Sequence, residues 1–140
     1  LREVLIDTDI MSEIMEGKDE NVVRFSRQYY RVFRRFTISA VTLLELQSGL
    51  TYNPKARDLE NFAAIRPLLE ILPVGSDEAT TGGQITGLLK ARGLKIERFD
   101  PIIAATAVEQ ELPLVTGNTR HHQRVVDLGF PLILENWREV

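Results

Sequence analysis

Short apolar runs alternate along this chain with stretches of helical periodicity. Residues 4–7, 36–39, 70–74, 112–116 and 131–134 read as strands. Between them the pattern predicts helices over 9–16, 20–35, 40–50, 54–69, 76–92 and 101–110, with a short one after Thr119. Strands alternating with helices predict an α/β domain with a mostly parallel central sheet of four to five strands flanked by helices, in three layers. Asn53-Pro54 and Gly75-Ser76 punctuate helix starts. Gly82 and Gly83 weaken the first turns of the fifth helix by roughly 1 kcal/mol each relative to alanine.

The second helical stretch is two-faced. At about 100° per residue, Arg24, Arg27, Arg31, Arg34 and Arg35 gather on one side, and Val22, Phe25, Tyr29, Val32, Phe33 and Phe36 on the other. The arginines read first as a solvated face and second as an RNA contact. The apolar stripe reads as core or as a dimer contact, with the Tyr29, Tyr30 and Phe33 region and the helix from Pro54 as candidate dimer surfaces.

Composition narrows the picture. With 140 residues, 44% of them hydrophobic, the chain suits one domain with its own core. It has no cysteine, which removes disulfides, thiolate-zinc sites and a cysteine nucleophile. A net charge of −3 argues against nonspecific coating of nucleic acid. No apolar stretch approaches the ~20 residues of a membrane span, and no signal-peptide form opens the chain. The expected location is the cytoplasm, with no membrane partner.

Three acids stand where apolar runs give way to helix-forming segments: Asp7 after Leu5-Ile6, Glu45 beyond 36–39, and Asp100 after a fainter lead through Ile96 and Phe99. If the runs are parallel strands, their carboxyl ends share one edge, where open α/β sheets bind ligands. Separated carboxylates could then converge on one hard cation. Each also has a structural reading. Asp100 before Pro101 makes a good helix cap. Glu45 lies too deep in its helix to cap it if Ser39 is the cap, and an unpaired carboxylate among Val41, Leu43, Leu44 and Leu46 would be costly. Asp7 is explained less well by capping, since Thr8 or Asp9 could cap the next helix. Asp9 reads as structural.

A fourth cluster is Thr116-Gly117-Asn118-Thr119-Arg120-His121-His122. Asn118 can offer its amide oxygen to a metal or cap the helix that follows. Neighbouring side chains on a helix diverge by about 100°, so His121 and His122 do not chelate one ion together. Two histidines without cysteine do not make a zinc set. Arg92, Lys95 and Arg98 before Asp100, with Arg120 and Arg124 after Asn118, are candidate phosphate contacts.

The order Leu5-Ile6-Asp7-Thr8, then 39–46 ending in Leu44-Glu45-Leu46, then Asp100-Pro101-Ile102-Ile103-Ala104-Ala105, then Val115-Thr116-Gly117-Asn118-Thr119-Arg120-His121 resembles the PIN domain. Specifically, it resembles the VapC-like ribonuclease toxins of toxin-antitoxin pairs, across nearly the whole chain. The resemblance implies an endoribonuclease dependent on Mg2+ or Mn2+, cutting RNA to leave a 5′-phosphate and a 3′-hydroxyl. It also implies a homodimer and a cognate antitoxin that sets a basic side chain among the acids. Asp7, Glu45 and Asp100 match the family's acidic positions, and Asn118 its fourth. His121 occupies the slot three residues later, and His122 stands where an aromatic is usual, so one corner lacks a carboxylate.

Hydrolysis of an anionic phosphodiester needs a nucleophile at neutral pH and relief of added negative charge, both of which a divalent ion supplies. Asp7 and Asp100 are expected as principal ligands, Glu45 as ligand or orienter of water, and Asn118 as a direct or water-mediated ligand. Thr8, Thr116 and His121 are expected to support them. Two alternatives stay open. One is a catalytically impaired PIN-like RNA-binding or regulatory protein. The other is a haloacid dehalogenase type phosphatase, suggested by Asp7-Thr8-Asp9, although Met11 stands where that motif wants Thr or Val.

Overall fold

The computed structural model describes residues 1–139. Among them, five strands and seven helices alternate: β1 (Leu5–Ile6), α1 (Thr8–Glu16), α2 (Glu20–Phe33), β2 (Phe36–Ser39), α3 (Ala40–Tyr52), α4 (Ala56–Ile65), β3 (Leu69–Leu72), α5 (Ser76–Ala91), α6 (Asp100–Glu109), β4 (Leu114–Val115), α7 (Thr119–Asp127) and β5 (Leu134–Glu135). A 3-10 turn, Arg66–Leu68, leads into β3 and shortens the helix expected over 54–69. Every strand pairing is parallel. Among the described residues hydrogen bonds group the strands into two sheets, one in the order β1-β4-β5 and one of β2 with β3. β1 and β2 lie side by side between them.

Strand alternation explains the three layers. Successive strand side chains point to opposite faces. Val4, Ile6 and Val115 therefore join α1 and α2 in one core, through Ile10, Met11, Val22 and Tyr29. Leu5 and Leu114 join α5, α6 and α7 in the other, through Ile85, Leu89, Ile103, Ala104 and Val125. Fully burying an aliphatic side chain of this size contributes roughly 1.5–3 kcal/mol.

Several boundaries differ from the sequence pattern. α2 stops at Phe33 because Arg34 turns left-handed, with φ 59°, and its amide donates to the Tyr30 carbonyl. The aromatic stripe of α2 is core: Tyr29 is 1% exposed and packs against Phe33, Phe36 and Trp137. α5 runs unbroken through Gly82 and Gly83. A Cβ on Gly82 would sit 3.6 Å from both the Ala105 Cβ and the Ile102 Cα, so this glycine brings α5 close to α6. No strand precedes Asp100; residues 92–99 are turns and irregular backbone.

Candidate active site

Asp7 leaves β1 as the cap of α1, its Oδ1 accepting from the Thr8 amide at 2.8 Å. Thr8 begins that helix and Asp9 lies in its first turn, so Asp7 is the cap, and it also lines the cleft described below. Its other oxygen, Oδ2, accepts from the Thr116 hydroxyl at 2.8 Å and lies 3.1 Å from Nε2 of His122. The carboxylate is 4% exposed and His122 is fully buried. Burial pushes the Asp7 carboxyl up, but the hydrogen bond and charge of His122, with the bonds from Thr116 and Thr8, outweigh it and hold it below its ordinary value.

Glu45 reaches the same place from the second turn of α3, which Ser39 caps through a bond from the Val41 amide. Its Oε1 accepts from the Thr8 hydroxyl at 2.7 Å. Asp100 is already helical at the start of α6, where Phe99 takes the cap position. The expected capping bond from Asp100 is therefore not made among the described residues, and its Oδ2 accepts from the Asn118 amide nitrogen at 3.1 Å. Burial pushes the Asp100 carboxyl up to about 6, opposed by His122 and reinforced by the negative charge of Asp7, Glu45 and Glu97.

Asn118 stands at the cap position of α7 without a side-chain cap bond among the described residues. Its backbone amide donates instead to the Thr116 hydroxyl at 2.9 Å. Asp7, Glu45, Asp100 and Asn118 line one open cleft of about 500 Å³, together with Thr8, Asp9, Glu97, Gly117 and Arg138. A smaller one of about 280 Å³ adjoins it and shares Thr8 and Glu45.

The histidine that meets Asp7, from behind the cleft lining, is His122. α7 turns His122 inward beside Val125, three residues on, while His121, expected to support the site, is partly exposed and makes no hydrogen bond to Asp7 among the described residues. That pairing of His122 with Val125 on one helical face was the signal available in the sequence. Three other residues went unmarked. Glu97 lines the cleft. The hydroxyl of Thr42 lies 3.0 Å from that of Thr8. Arg138 donates through Nε to Glu13 Oε1 at 2.7 Å and lies 3.5 Å from Asp9 Oδ2. Asp9 is built in by bonds from the Ile10 and Gly117 amides, at 2.8 and 3.0 Å. Burial and the charge of Asp7 push its carboxyl up.

Arg92, Lys95, Arg98, Arg120 and Arg124 are not among the residues lining the cleft. Arg98 stacks over Phe99, and Arg124 donates to the Lys95 carbonyl. Arg138 is the one cationic side chain lining it among the described residues.

The donor set fits a divalent ion. One ligand atom each from Asp7, Asp100 and His122 lie within 4.8 Å of one another, and two of the three are carboxylate oxygens. Such a cluster of acids, placed at the carboxyl ends of parallel strands, is suited to holding a cation against a phosphate.

Known proteins resemble this chain along most of its length. Residues 4–127 match the PIN domain. The chain is 26% identical over 129 residues to ribonuclease VapC of Rickettsia bellii, an alignment covering 89% of this chain and 92% of that protein. It is 30% identical over 123 residues to the tRNA(fMet)-specific endonuclease VapC of Shigella flexneri, covering 86% and 90%. The fold is similar to the crystal structure of VapBC2 from Rickettsia felis bound to a DNA fragment from their promoter, with a TM-score of 0.81 at 25% identity over 97% of this chain and 99% of that one. The match across residues 4–127 and the VapC relatives aligned over most of both chains replace the phosphatase reading, and the chain belongs to the PIN domain family as a VapC-like member.

Proposed function

We propose that this chain is an endoribonuclease dependent on Mg2+ or Mn2+ and acts as the toxin of a toxin-antitoxin pair. The observation that carries the reading is the meeting of Asp7, Glu45, Asp100 and Asn118, remote in sequence, around one cleft. Asp7 and Asp100 would hold the ion, with Asn118 beside Asp100. When bound, that ion acidifies water and relieves charge on the phosphoryl oxygens.

The remaining work falls to side chains. Thr116 and the Thr8 amide fix the Asp7 carboxylate by taking one oxygen each. The Thr8 hydroxyl engages Glu45 Oε1, which leaves Oε2 to accept a hydrogen bond from the attacking water and aim its lone pair at phosphorus. Asn118 steadies Asp100 by donating to Oδ2, leaving Oδ1 for the cleft. Hydrolysis would leave a 5′-phosphate and a 3′-hydroxyl. Arg92, Lys95, Arg98, Arg120 and Arg124 would act outside the cleft, on more distant phosphates of the RNA.

The antitoxin would enter by the adjoining groove, where Met15, Leu46 and Leu50 offer apolar surface beside Glu45. A basic side chain from it would compete for the negative charge of the acids. A homodimer is part of the same proposal. Among the described residues no helix is long and apolar enough to cross a membrane.

The test is incubation of purified protein with total cellular RNA, with and without Mg2+ or Mn2+, followed by end mapping. Ion-dependent cuts that vanish in Asp7→Asn, Glu45→Ala and Asp100→Ala, all still folded, are expected. RNA binding without cleavage in either ion would favour the second reading, an impaired regulatory protein, for which the missing carboxylate at the fourth corner speaks.

A further inference from the structure

We propose that His122 is a nitrogen ligand of the ion in this cleft, and that it tilts the site toward first-row transition ions over Mg2+. The inference rests on the reading that the cleft holds a divalent ion. His122 occupies the position where an aromatic is usual, and its ring is fully buried with Nε2 directed at the acids.

The spacing fits ligation. Two donors in adjacent positions of an octahedral ion, with bonds near 2.1 Å, stand about 3.0 Å apart. Nε2 of His122 lies 3.1 Å from Oδ2 of Asp7. Asp100 completes the group, with one ligand atom from each of the three residues inside a 4.8 Å circle. In the absence of an ion the same nitrogen serves as hydrogen-bond donor to Asp7.

The far side of the ring does not choose between these states. Nδ1 is buried without a hydrogen-bond partner among the described residues, so it is unsatisfied whether or not it carries the proton. What faces Nε2 decides the tautomer, and a cation drawn in by Asp7 and Asp100 favours a bare Nε2. The ligand also fills a gap in the chemistry. Asn118 gives its amide nitrogen to Asp100, and the imidazole of His122 adds a nitrogen donor beside the two carboxylates.

Softness then sets the consequence. Oxygen donors suit Mg2+, whereas imidazole is preferred by later first-row ions such as Co2+. Any mixed site binds Co2+ more tightly than Mg2+, so the informative quantity is how the ratio changes when the nitrogen is removed.

Titration calorimetry on the ion-free protein with Co2+ and with Mg2+ tests this, using wild type, His122→Phe and His122→Gln, each checked by thermal melting. His122→Phe is expected to cut Co2+ affinity by about tenfold or more while changing Mg2+ affinity by less than about threefold. The Co2+ absorption bands should shift in the same variant. If His122 only orients Asp7, both ions weaken together and His122→Gln restores both, which overturns the proposal. Equal affinities across all three proteins also overturn it. Failure of wild type to bind either ion would instead defeat the metal-dependent reading itself.

Discussion

The hydroxyl of Thr8 is bound to Glu45 Oε1 at 2.7 Å while lying 3.0 Å from the hydroxyl of Thr42. One hydroxyl has one proton, so Thr8 gives its proton to the carboxylate and accepts that of Thr42. The relay ties the first turn of α1 to the second turn of α3 at the edge of the cleft. Thr8→Val should leave the fold intact and lower RNA cleavage by about 10–100-fold, the usual cost of losing an outer partner of a site ligand. Thr8→Ser should recover most of it. Cleavage assays on the two variants decide the point; unchanged rates in Thr8→Val would remove the relay from the mechanism.

Asp100 predicts a pH dependence with a definite sign. Its folded-state carboxyl, at about 6, lies above the ordinary 3.8, so the folded protein holds this proton more tightly than the unfolded chain. The resulting stability is fully present below pH 3.8 and is lost as pH rises through about 6. Asp9 is pushed the same way. Asp7, held low, gives a contribution present above 3.8 and constant across this window. The ion-free protein should therefore melt at lower temperature at pH 7 than at pH 5 as far as this cluster is concerned, and Asp100→Asn should raise the melting temperature at pH 7. Below about pH 6 ion binding should release a proton from Asp100, since only the ionised carboxylate can ligate. A melting temperature for Asp100→Asn at or below wild type at pH 7 would contradict this.

Gly117 holds the seat of Arg138. A Cβ there would fall 1.8 Å from Nη1 of Arg138 and 2.8 Å from Oδ2 of Asp9. The guanidinium is a movable end and would swing away, giving up Glu13 and Asp9. Gly117→Ala is expected to cost about 1 kcal/mol, the scale of a partly exposed ion pair. Arg138→Ala should cost a similar amount, and the double variant little more than either alone. Additive losses in denaturant titrations would show that Gly117 acts on something else.

Gly83 has open space around its missing Cβ, within a continuous helix. Gly83→Ala should therefore stabilise the protein by roughly 0.5–1 kcal/mol, the difference in helix propensity. Urea unfolding of the variant measures it, and a loss of stability would mean that α5 needs its flexibility.

The legible and illegible parts of the sequence divide on physical grounds. Asp7 and Glu45 could be marked because each follows a buried strand run and enters a helix, a junction that confines a polar side chain to one edge of the sheet. Asp100 could be marked only beside its proline, since the loop before it carries no strand. β1, β4 and β5 are two residues each, too short for periodicity to fix their ends. The inward histidine was obscured by a doublet in which either residue could have faced the cleft until the phase of α7 was known. Arg138 gave no sequence sign at all, because its role depends on a glycine at position 117 and on acids of the first helix.

The pairing of β1 with β4 also sets when the cleft can assemble during synthesis. Asp7 leaves the ribosome before Thr116 and His122, which hold it and follow 109 and 115 residues later. A nascent chain therefore carries its acids apart, and closing so long a separation is slow compared with forming local helices. The cleft is therefore assembled only once the fourth strand has paired with the first, and a chain truncated before it is expected to lack the site.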